Sequence, residues 1–519
     1  MSQGAMLQNF NWQQLQNGSD IRGVALEGIV AEPVTLTPAI VRRIGQAFVQ
    51  WLSQQTHQDP RSMTLALGRD SRLSGPVLLE AIAQGMTQMG CNVVDVGLAS
   101  TPAMFMSTLS SGLQVDGAIM LTASHLPFNR NGCKFFTAVG GLGKADISAI
   151  LTYAAAGEFS QAATPGQVRS DPFLETYAAG LVQLIREGVR HPQDWDRPLQ
   201  GLHIVVDAGN GSGGFFVRHV LEPLGARTEG SQFLDPDGHF PHHSPNPEDP
   251  AAIATLCAAV TEQQADFGII FDTDVDRAAA VDAQGREINR NRLIALIAAI
   301  VLREHPGSTV VTDSITSEGL TSFIEETLQG RHHRYKRGYK NVINEAQRLN
   351  EAGQECWLAI ETSGHGALRE NYFLDDGAYL VSKLLIELAQ GQLTGQSLTA
   401  LIEDLQEPAE SQELRLKIQA ADFQAYGNEV MERLTAFCAA QADWQVVPDN
   451  YEGVRIRCAA PQEAGWFLLR LSLHDPVLPL NIESNCAGGI DLICQRLRPF
   501  FQQFSALDLS AFEGTPQEA

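Results

Sequence analysis

The segment DTDVDR places three carboxylates at alternate positions, in Asp272, Asp274 and Asp276. Carboxylates this close repel one another in a partly buried loop, so a cation is their natural partner, and ligation by oxygen alone favours Mg²⁺ or another hard ion. The alternative is a solvated acidic turn. An EF-hand is excluded because Arg277 stands where that loop needs its glycine and Ala283 where it needs its glutamate. Beside an ion, Arg277 offers a fork of donors that suits a phosphate.

The segment LTASHLPFNRNGCKFF contains Ser124 next to His125, after the apolar run GAIM, and Lys134 further along. A serine hydrolase is the obvious competitor, but no GxSxG motif surrounds Ser124, and an adjacent histidine is poorly placed to take its proton. A serine that carries a phosphoryl group needs a divalent ion, cationic groups and a substrate held in line. The rest of the chain supplies candidates for all three.

Two further loops have the composition of a site for a sugar phosphate. ETSGH, from Glu361 to His365, offers an acceptor, a hydroxyl and an imidazole that suit the vicinal hydroxyls of a sugar, although His365 fits a structural histidine equally well. RLSLHDP combines Arg470, Ser472 and His474 with turn amides, which is typical of a phosphate cradle. An ordinary strand exit is the alternative for this second loop.

One strand–loop–helix pattern occurs three times, as an apolar run, small polar residues and then helical periodicity. The runs LALGRD, IVVDAG and VVTDSI each contain an aspartate near the strand end: Asp70, Asp207 and Asp313. After each run comes a second predicted strand that leads into one of the polar loops. These second strands lie in GAIMLTASH, FGIIFDTDVDR and WLAIETSGH. Because ligands of open α/β sheets sit at the carboxyl ends of strands, we expect the loops to converge on one cleft.

The basic and glycine-rich segments are less specific. GSDIRG and RYKRGYKN supply Arg22, Arg337 and Lys340, which matter only if folding brings them to the same cleft. GNGSGG fits the dinucleotide pattern GxGxxG, with Glu229 at a tolerable distance for a ribose. The other two copies of the unit lack these glycines, which favours a tight structural turn.

At 519 residues the chain is too long for one hydrophobic core. The pattern predicts three tandem related α/β domains and a smaller C-terminal α+β domain around a central cleft, with QEPAESQE as the linker before the last one. The predicted boundaries are residues 1–187, 188–290, 291–408 and 409–519.

Composition restricts the partners. The net charge of −24 argues against general attraction to nucleic acid or to anionic membranes. The eight cysteines are scattered without metal-type spacing, as expected of reduced thiols in a cytoplasmic protein. The apolar stretch LIALIAAIVL is half the length needed to span a bilayer, and the N-terminus lacks the pattern of a signal peptide. We expect no nucleic acid and no membrane partner.

Together, these loops resemble the α-D-phosphohexomutase superfamily, and within it the phosphomannomutase/phosphoglucomutase group. TASHLPFNRNGCKFF is similar to the family's phosphoserine loop, DTDVDR to its metal loop, ETSGH to its sugar loop and RLSLHDP to its phosphate loop. GSDIRG, GRDSR and PDGHFPHHSPNPE also match family signatures. The resemblance runs over nearly the whole chain, and LRENYFLDDGAYL favours the phosphomannomutase/phosphoglucomutase group over the glucosamine branch.

The resemblance implies a four-domain enzyme whose C-terminal domain is of the TATA-binding-protein-like type. It implies a phosphohexomutase that moves a phosphoryl group reversibly between O1 and O6 of glucose or mannose phosphate. The implied intermediates are a phosphoserine enzyme and a hexose 1,6-bisphosphate, which also acts as activator. The implied partner is a small-molecule hexose phosphate, with the chain acting as a monomer or homodimer.

The resemblance also assigns roles to residues. Ser124 would carry the phosphoryl group and, through a phosphoserine oxygen, ligate Mg²⁺ together with Asp272, Asp274 and Asp276. The remaining assignments form two groups, one catalytic and one substrate-binding. The catalytic group is Ser124, His125, Lys134 and Arg22. The substrate-binding group is Arg277, Tyr339, Lys340, Glu361, Ser363, His365, Arg470, Ser472 and His474.

Four residues depart from the family pattern: Leu126 in the serine loop, Leu473 and His474 in the phosphate loop, and Tyr339 at a position linked to substrate choice. They leave two other hypotheses open. One is a sugar-phosphate-binding protein with weakened catalysis. The other is a metal-dependent phosphatase with Asp272 as the nucleophile.

Overall fold

The computed structural model describes Leu7 and residues 10–28, 32–448, 450–472 and 475–512. The chain divides into two compact units. The first unit consists of Met1–Asn289 and Ser363–Ala400, and the second of Arg290–Thr362 and Leu401–Ala519. Along the described part of the chain, none of the helices is both long and apolar enough to cross a membrane.

The N-terminal part of the first unit is an α/β/α layer built on one mixed sheet. Its strand order is β1-β2-β6-β5-β3-β4-β8, with β7 paired to β6. Strands β3, β4, β5 and β8 run parallel, and β2 and β6 run antiparallel to their neighbours. The elements are β1 (Gln16–Asn17), β2 (Asp20–Val24), α1 (Pro38–Thr56), β3 (Thr64–Arg69), α2 (Gly75–Gln88), β4 (Asn92–Leu98), α3 (Thr101–Leu109), β5 (Gly117–Leu121), β6 (Arg130–Thr137), β7 (Gly140–Gly141), α4 (Lys144–Ala156), β8 (Val168–Ser170) and α5 (Phe173–Val189).

Helices α1, α2 and α4 bury their apolar faces in one core against this sheet. The start of α1 follows from its sequence, because Thr37 Oγ1 accepts a hydrogen bond from the main-chain N of Ile40 and Pro38 occupies the first turn. Ser100 caps α3 in the same way through the main-chain N of Ala103. Helices α3 and α5 contact the sheet and each other, and α3 begins beside the carboxylate loop described below.

The next part of the first unit is a four-stranded sheet in the order β12-β11-β10-β9. Strands β9 and β10 are parallel, and β10, β11 and β12 are antiparallel. Helix α6 packs on this sheet through a small core, and Asp249 caps the helix. The elements are β9 (Ile204–Asp207), a π-helical turn (Val217–Leu221), α6 (Pro250–Gln263), β10 (Phe267–Phe271), β11 (Ala278–Asp282) and β12 (Glu287–Ile288).

The second unit begins with three parallel strands in the order β14-β13-β15. Helix α7 contains the apolar stretch LIALIAAIVL and buries it completely inside this unit, so the stretch is core. The elements are α7 (Arg290–Glu304), β13 (Thr309–Thr312), α8 (Glu318–Ser322), a π-helical turn (Phe323–Thr327), β14 (Arg331–Arg334), α9 (Tyr339–Glu351) and β15 (Cys356–Ile360).

Residues 363–400 return to the first unit. They form the hairpin of β16 (Gly366–Leu368) and β17 (Leu374–Asp375), followed by α10 (Gly377–Thr394). Asp376 caps α10 and accepts a hydrogen bond from the Tyr177 hydroxyl of α5 at 2.6 Å. Helix α10 packs against α5 and β11.

The C-terminal part of the second unit is an antiparallel sheet in the order β19-β20-β21-β22-β18-β23, covered by two helices over one core. The segment QEPAESQE is only partly a linker, because β18 already begins at Glu410 and pairs with β22. The elements are β18 (Glu410–Ile418), α11 (Phe423–Ala439), β19 (Trp444–Val446), β20 (Val454–Cys458), β21 (Gly465–Leu469), β22 (Val477–Ser484), α12 (Gly489–Phe501) and β23 (Leu507–Asp508).

The three predicted repeats have one arrangement in common. The strand that ends near the aspartate lies parallel and next to the strand that leads into the polar loop: β3 next to β5, β9 next to β10, and β13 next to β15. Asp70 and Asp313 directly follow their strands, and Asp207 is the last residue of its strand. Each polar loop therefore leaves its sheet at a carboxyl end, as the sequence predicts.

Candidate active site

Ser124 lies in the loop between β5 and β6 and is 4% exposed. Its backbone is left-handed, with φ +51, a conformation that costs energy for a residue with a side chain. The Thr122 hydroxyl oxygen accepts a hydrogen bond from the main-chain N of Ser124 at 2.9 Å. The loop therefore holds the serine hydroxyl in one direction.

Arg72 holds the same loop from behind. Its guanidinium is fully buried and donates to the main-chain carbonyls of Ser124 at 2.5 Å and Leu126 at 2.6 Å. It also donates to the carbonyls of Pro127 at 2.7 Å and Arg130 at 3.0 Å. Four loop carbonyls thus share one cation, which comes from the motif GRDSR at the end of β3.

Asp70 in turn holds Arg72. Its carboxylate accepts from the main-chain N of Arg72 at 2.9 Å and from Nε at 3.2 Å. Burial raises the pKa of Asp70 to about 6, although the Arg72 charge opposes that rise. The ion pair is completely buried, so removing either partner leaves an uncompensated charge.

The carboxylate loop comes directly after β10 and meets the serine loop. One oxygen from each of Asp272, Asp274 and Asp276 lies within 4.8 Å of the others, and all three residues are buried. Ser124 Oγ donates to Asp272 Oδ2 at 2.9 Å. Two segments 148 residues apart therefore meet in the first unit, as the sequence analysis expected of them.

Three local features position the carboxylate loop. Thr101, at the start of α3, donates from its hydroxyl to Asp274 Oδ2 at 2.5 Å and from its main-chain N to the Asp274 carbonyl at 2.8 Å. A Cβ on Gly211 would lie 2.6 Å from the Thr273 carbonyl oxygen, so the GNGSGG turn allows the loop to approach closely. Val275 has φ +66, an uncommon conformation for a β-branched residue.

The four glycines of GNGSGG face protein groups. A Cβ on Gly209 would lie 3.0 Å from Pro245 Cβ, and one on Gly214 would lie 2.1 Å from the Leu234 carbonyl oxygen. The glycines thus act as a packing platform, which agrees with the structural turn favoured from sequence.

The carboxylate cluster has donors that suit a cation. Within the described residues, Asp274 Oδ1 and Asp276 Oδ1 are buried and have no hydrogen-bond partner. Lys134 Nζ lies 3.1 Å from Asp274 Oδ2 and also binds Asp276 Oδ2, so two of the three carboxylates share one ammonium. Buried carboxylate oxygens without donors are the ligands that a hard divalent ion prefers. The residues present therefore fit such an ion.

Electrostatics divide the carboxylates. Burial raises the pKa of Asp272 well above its ordinary value, and the negative charges of Asp276 and Asp274 add to that rise. Burial also tends to raise the pKa of Asp276, but the positive charges of Lys134 and His365 lower it below its ordinary value. Carboxylates that disfavour one another's charge indicate a place for a further positive charge.

Arg277 connects the two loops. Its Nη2 donates to Ser124 Oγ at 3.2 Å and to Asp272 Oδ2 at 3.3 Å, and its side chain is 2% exposed. Its Nη1 donates to Asn246 Oδ1 at 3.0 Å. A buried guanidinium beside a serine hydroxyl is suited to neutralise oxygen charge on that serine.

Of the two histidines near the serine, His125 is neutral and His365 is protonated. His125 Nδ1 lies 2.8 Å from Arg277 Nη2, a donor only, so the ring accepts there and carries its proton on Nε2. Burial lowers the pKa of His125 to about 3, helped by the positive charges of Arg277 and Arg22. Burial also lowers the pKa of His365, but the Asp375 carboxylate 2.5 Å from Nδ1 and the Asp276 carboxylate outweigh it and raise the pKa to about 9.

The remaining predicted residues of the first unit are Arg22 and Ser363. Arg22 lies in β2, opposite Gly132 of β6, and pairs with Asp20 at 3.0 Å. Ser363 is 8% exposed, and among the residues the structure describes its hydroxyl has no hydrogen-bond partner. His365 forms an isolated bridge with Arg277, which brings the second half of ETSGH to the carboxylate loop.

In the second unit, Glu361 follows β15 and is 3% exposed. Its Oε1 accepts a hydrogen bond from the main-chain N of Gly338 at 2.5 Å. Gly338 has φ +111, a backbone conformation in which a residue with a side chain would be strained. Tyr339 and Lys340 directly follow this turn as the first residues of α9, so Glu361 fixes the segment that carries them.

Arg470 directly follows β21 in the second unit. Burial lowers the pKa of Arg470, and the nearby Arg337 guanidinium lowers it further. Within the described chain, Arg470 Nε is buried without a hydrogen-bond partner. Ser472 Oγ accepts from the main-chain N of Asp475 at 3.2 Å, which shapes the turn. The Arg470 and Arg337 guanidinium groups, with the unpartnered Nε of Arg470, suit an anion. His474 lies outside the described residues.

Sequence reasoning missed several residues that hold the site. Arg72 and Asn246 were visible only inside family signatures, Asp70 was noted only as the aspartate of its repeat, and Thr101 gave no signal. Asp375, which binds His365, lies in the segment LRENYFLDDGAYL. These contacts join segments far apart in sequence, and only the signature motifs GRDSR and PDGHFPHHSPNPE hinted at two of them.

Comparison with known proteins agrees with this geometry. Models of the phosphoglucomutase/phosphomannomutase α/β/α domains I, II and III match residues 13–161, 179–285 and 289–408. A phosphomannomutase/phosphoglucomutase of Pseudomonas putida is 32% identical over 486 residues, which cover 93% of each chain. The chain belongs to the phosphoglucomutase/phosphomannomutase family. The predicted α-D-phosphohexomutase membership is thus confirmed, as are three α/β domains followed by a further C-terminal domain.

Other members of the phosphoglucomutase/phosphomannomutase family are similar over most of their length. The phosphomannomutase/phosphoglucomutase of Pseudomonas aeruginosa is 29% identical over 95% of this chain and 96% of its own. The crystal structure of a family protein from Burkholderia thailandensis superposes with a TM-score of 0.76 at 27% identity, covering 97% of this chain and 99% of that one. Fold and sequence thus point to the same family.

Proposed function

We propose that the chain is a phosphohexomutase that converts hexose 1-phosphate and hexose 6-phosphate into each other, with glucose or mannose phosphate as substrate. One observation carries the proposal: Ser124 Oγ lies 2.9 Å from Asp272 Oδ2 and 3.2 Å from Arg277 Nη2, beside buried carboxylate oxygens that have no donor among the residues the structure describes. This arrangement suits a serine that carries a phosphoryl group between a cation and a guanidinium. The names of the relatives support the same reaction.

In the proposed reaction, a phosphoryl group passes from Ser124 to the free hydroxyl of the bound hexose phosphate. The serine P–O bond breaks, a P–O bond to the sugar forms, and the proton lost by the sugar hydroxyl is balanced by the proton that Ser124 Oγ regains. The hexose 1,6-bisphosphate then reverses in the site and returns its other phosphoryl group to Ser124. Such a bisphosphate added from solution would also rephosphorylate the serine.

The roles in the first unit follow from charge. Arg277, Lys134 and Arg22 would neutralise the oxygens of the transferring phosphoryl group, since all three are cations near the serine or carboxylate loops. His125 is neutral and would orient Arg277 through Nδ1. His365 is held as an imidazolium between two carboxylates and would donate to the substrate.

Mg²⁺ is the proposed cofactor, held by Asp272, Asp274, Asp276 and an oxygen of phosphorylated Ser124. When bound there, it supplies positive charge to the transferring phosphoryl group. The donor-free oxygens Asp274 Oδ1 and Asp276 Oδ1 support this assignment.

We assign the sugar hydroxyls O3 and O4 to Glu361 and Ser363, and the phosphate that does not react to Arg470 and Ser472. The neighbouring positive charge of Arg337 supports an anion at Arg470. Tyr339 and Lys340 would contact the substrate because they follow the turn that Glu361 fixes. His474, in the same loop as Arg470, keeps its proposed part in phosphate binding.

The domain boundaries of the sequence analysis, after residues 187, 290 and 408, remain proposals. So do the cytoplasmic location and the monomeric or homodimeric state. Size-exclusion chromatography with light scattering decides the last of these.

The test is a mutase assay on glucose, mannose and glucosamine 1-phosphates with Mg²⁺ and the matching bisphosphate. We expect turnover of glucose or mannose 1-phosphate by the wild type and none by Ser124→Ala. The matched control is Ser107→Ala, because Ser107 is also buried and its hydroxyl donates only to the Met104 carbonyl in α3. Undiminished turnover by Ser124→Ala would refute the proposal.

Two other results would point elsewhere. Release of inorganic phosphate without isomerisation, lost in Asp272→Asn, would favour the phosphatase. A rise in melting temperature with hexose phosphate, without turnover even when bisphosphate and Mg²⁺ are present, would favour a sugar-phosphate-binding protein.

A further inference from the structure

The segment HHSPNPE, residues 242–248, has no part in the mechanism above, yet it reaches Arg277. It lies in the connection between the π-helical turn that ends at Leu221 and helix α6, which begins at Pro250. Among its residues, Asn246 is half-buried, and its Oδ1 accepts from Arg277 Nη1 at 3.0 Å. The same oxygen accepts from the main-chain N of Glu248 at 3.2 Å, so a local turn fixes the direction of the amide.

Arg277 is a fork whose two ends have different partners. Nη2 faces Ser124 Oγ at 3.2 Å and His125 Nδ1 at 2.8 Å. Nη1 faces Asn246 Oδ1, with the Glu248 carboxylate at 3.8 Å. Asp272 Oδ2 holds the other side of the fork, since it accepts from Nε and Nη2 at 3.3 Å each. Because the guanidinium is planar and rigid, the acceptor on Nη1 acts together with Asp272 to set where Nη2 points.

The segment itself is anchored at its other end. His243 Nε2 lies 3.0 Å from Asp207 Oδ2, and its Nδ1 lies 2.8 Å from the Ser244 carbonyl oxygen. Both ring nitrogens face acceptors, so the ring donates from both and is held as the imidazolium. The Asp207 carboxylate is fully buried at the end of β9, and Pro245 packs against Gly209 directly after it.

We propose that residues 242–248 form a positioning strap, in which Asn246 orients the Arg277 guanidinium toward Ser124 and the His243–Asp207 ion pair anchors the strap to β9. Asn246 is a positioning residue, since it acts on the phosphoryl group only through Arg277. The inference rests on the proposed mutase function. Asn246 therefore contributes to the transfer step and not to binding of the sugar.

A double-mutant cycle tests the strap. Asn246→Ala is expected to lower kcat about tenfold, as for one lost charge-assisted hydrogen bond, with KM changed less than about twofold. In an Arg277→Lys background, the same substitution is expected to change kcat less than about twofold, because lysine has no second donor arm to be oriented. Asn246→Asp keeps the acceptor and is expected to restore kcat to within about threefold of the wild type.

A second variant and a control separate positioning from folding. His243→Gln, which removes the charge opposite Asp207, is expected to lower kcat in the same selective way, and again not in the Arg277→Lys background. Asn92→Ala is the matched control: Asn92 is also half-buried, and its Oδ1 accepts only from the main-chain N of Gln167 at 3.0 Å. It should leave kcat and KM unchanged.

Each outcome decides a different statement. Equal losses from Asn246→Ala with and without Arg277 would overturn the strap, and so would an Asn246→Asp variant as slow as Asn246→Ala. A rise in KM with unchanged kcat would overturn it as well. Absence of turnover in the wild type would instead remove the proposed function on which the strap rests.

Discussion

Replacing Arg72 by lysine tests whether the serine loop is held by a single buried guanidinium. The Arg72 side chain makes five hydrogen bonds, one to Asp70 and four to loop carbonyls. A lysine carries three N–H groups on one nitrogen, so it replaces at most three of these hydrogen bonds and loses at least two. At about 1.5–3 kcal/mol for each lost bond to a charged donor, Arg72→Lys destabilises the fold by about 3–6 kcal/mol.

The assay is urea unfolding monitored by tryptophan fluorescence, with mutase activity measured on the same samples. We expect a lower urea midpoint and a fall in kcat, because the Ser124 carbonyl is among the acceptors that lose a donor. The loss of kcat should persist far below the midpoint, where the variant is still folded.

The chain offers a matched control with the same spacing. Arg61 also pairs with an aspartate two residues earlier, Asp59, but its side chain is 73% exposed. Arg61→Lys should leave both the urea midpoint and kcat unchanged, because exposed ion pairs are screened by solvent. An Arg72→Lys variant that unfolds at the wild-type urea concentration and turns over at the wild-type rate would refute the reasoning.

Three further predictions concern pH, packing and metal. Burial raises the pKa of Glu483 from 4.5 to about 7. Between pH 4.5 and pH 7 the folded state therefore keeps a proton that the unfolded chain releases, and the free energy of unfolding falls by about 3 kcal/mol as the pH rises through this range. Glu483→Gln should therefore match the wild type in urea unfolding near pH 4.5 and exceed it at pH 8; a smaller advantage at pH 8 than at pH 4.5 would contradict this sign. Gly211→Ala would place a Cβ 2.6 Å from the Thr273 carbonyl oxygen and should lower the melting temperature, whereas Gly180→Ala, whose Cβ would meet no described atom within 4 Å beyond its chain neighbours and its own helix backbone, should raise it. The reverse order in calorimetry would exclude the packing argument. Mg²⁺ should raise the melting temperature of the wild type but not of Asp274→Asn, and equal shifts in both would place the ion elsewhere.

The placement of the loops followed from local sequence. GAIM before Ser124 and FGIIF before Asp272 are short apolar runs, and such runs form buried parallel strands whose carboxyl ends carry ligands. That rule places each loop only at the edge of its own sheet, and β5 and β10 belong to different sheets, so the contact between Ser124 and Asp272 was implied by the family resemblance. That Glu361 and Arg470 act on the same substrate stays a prediction.

What holds the site could not be predicted in this way. From the sequence, Arg72 looks like an ordinary exposed charged residue after a strand. Its burial depends on the four carbonyls of a loop more than 50 residues later. Thr101 and Asp274 are 173 residues apart, so no window of sequence contains both. The linker QEPAESQE was partly wrong for a related reason. Glu410 to Glu413 look like part of a polar connection, but they form the first part of β18 because they pair with β22, which is distant in sequence.

The first compact unit is interrupted in sequence, because Ser363–Ala400 complete it after Arg290–Thr362 have been added. At roughly 5–20 residues per second, the ribosome needs on the order of 5–20 s to synthesise residues 290–400. During that time Tyr177 lacks its partner Asp376, and the faces of α5 and β11 that α10 later covers stay open to solvent. The nascent chain therefore completes its first unit only after Arg290–Thr362 of the second unit have been made, and a truncation at residue 289 removes part of the unit it is meant to isolate.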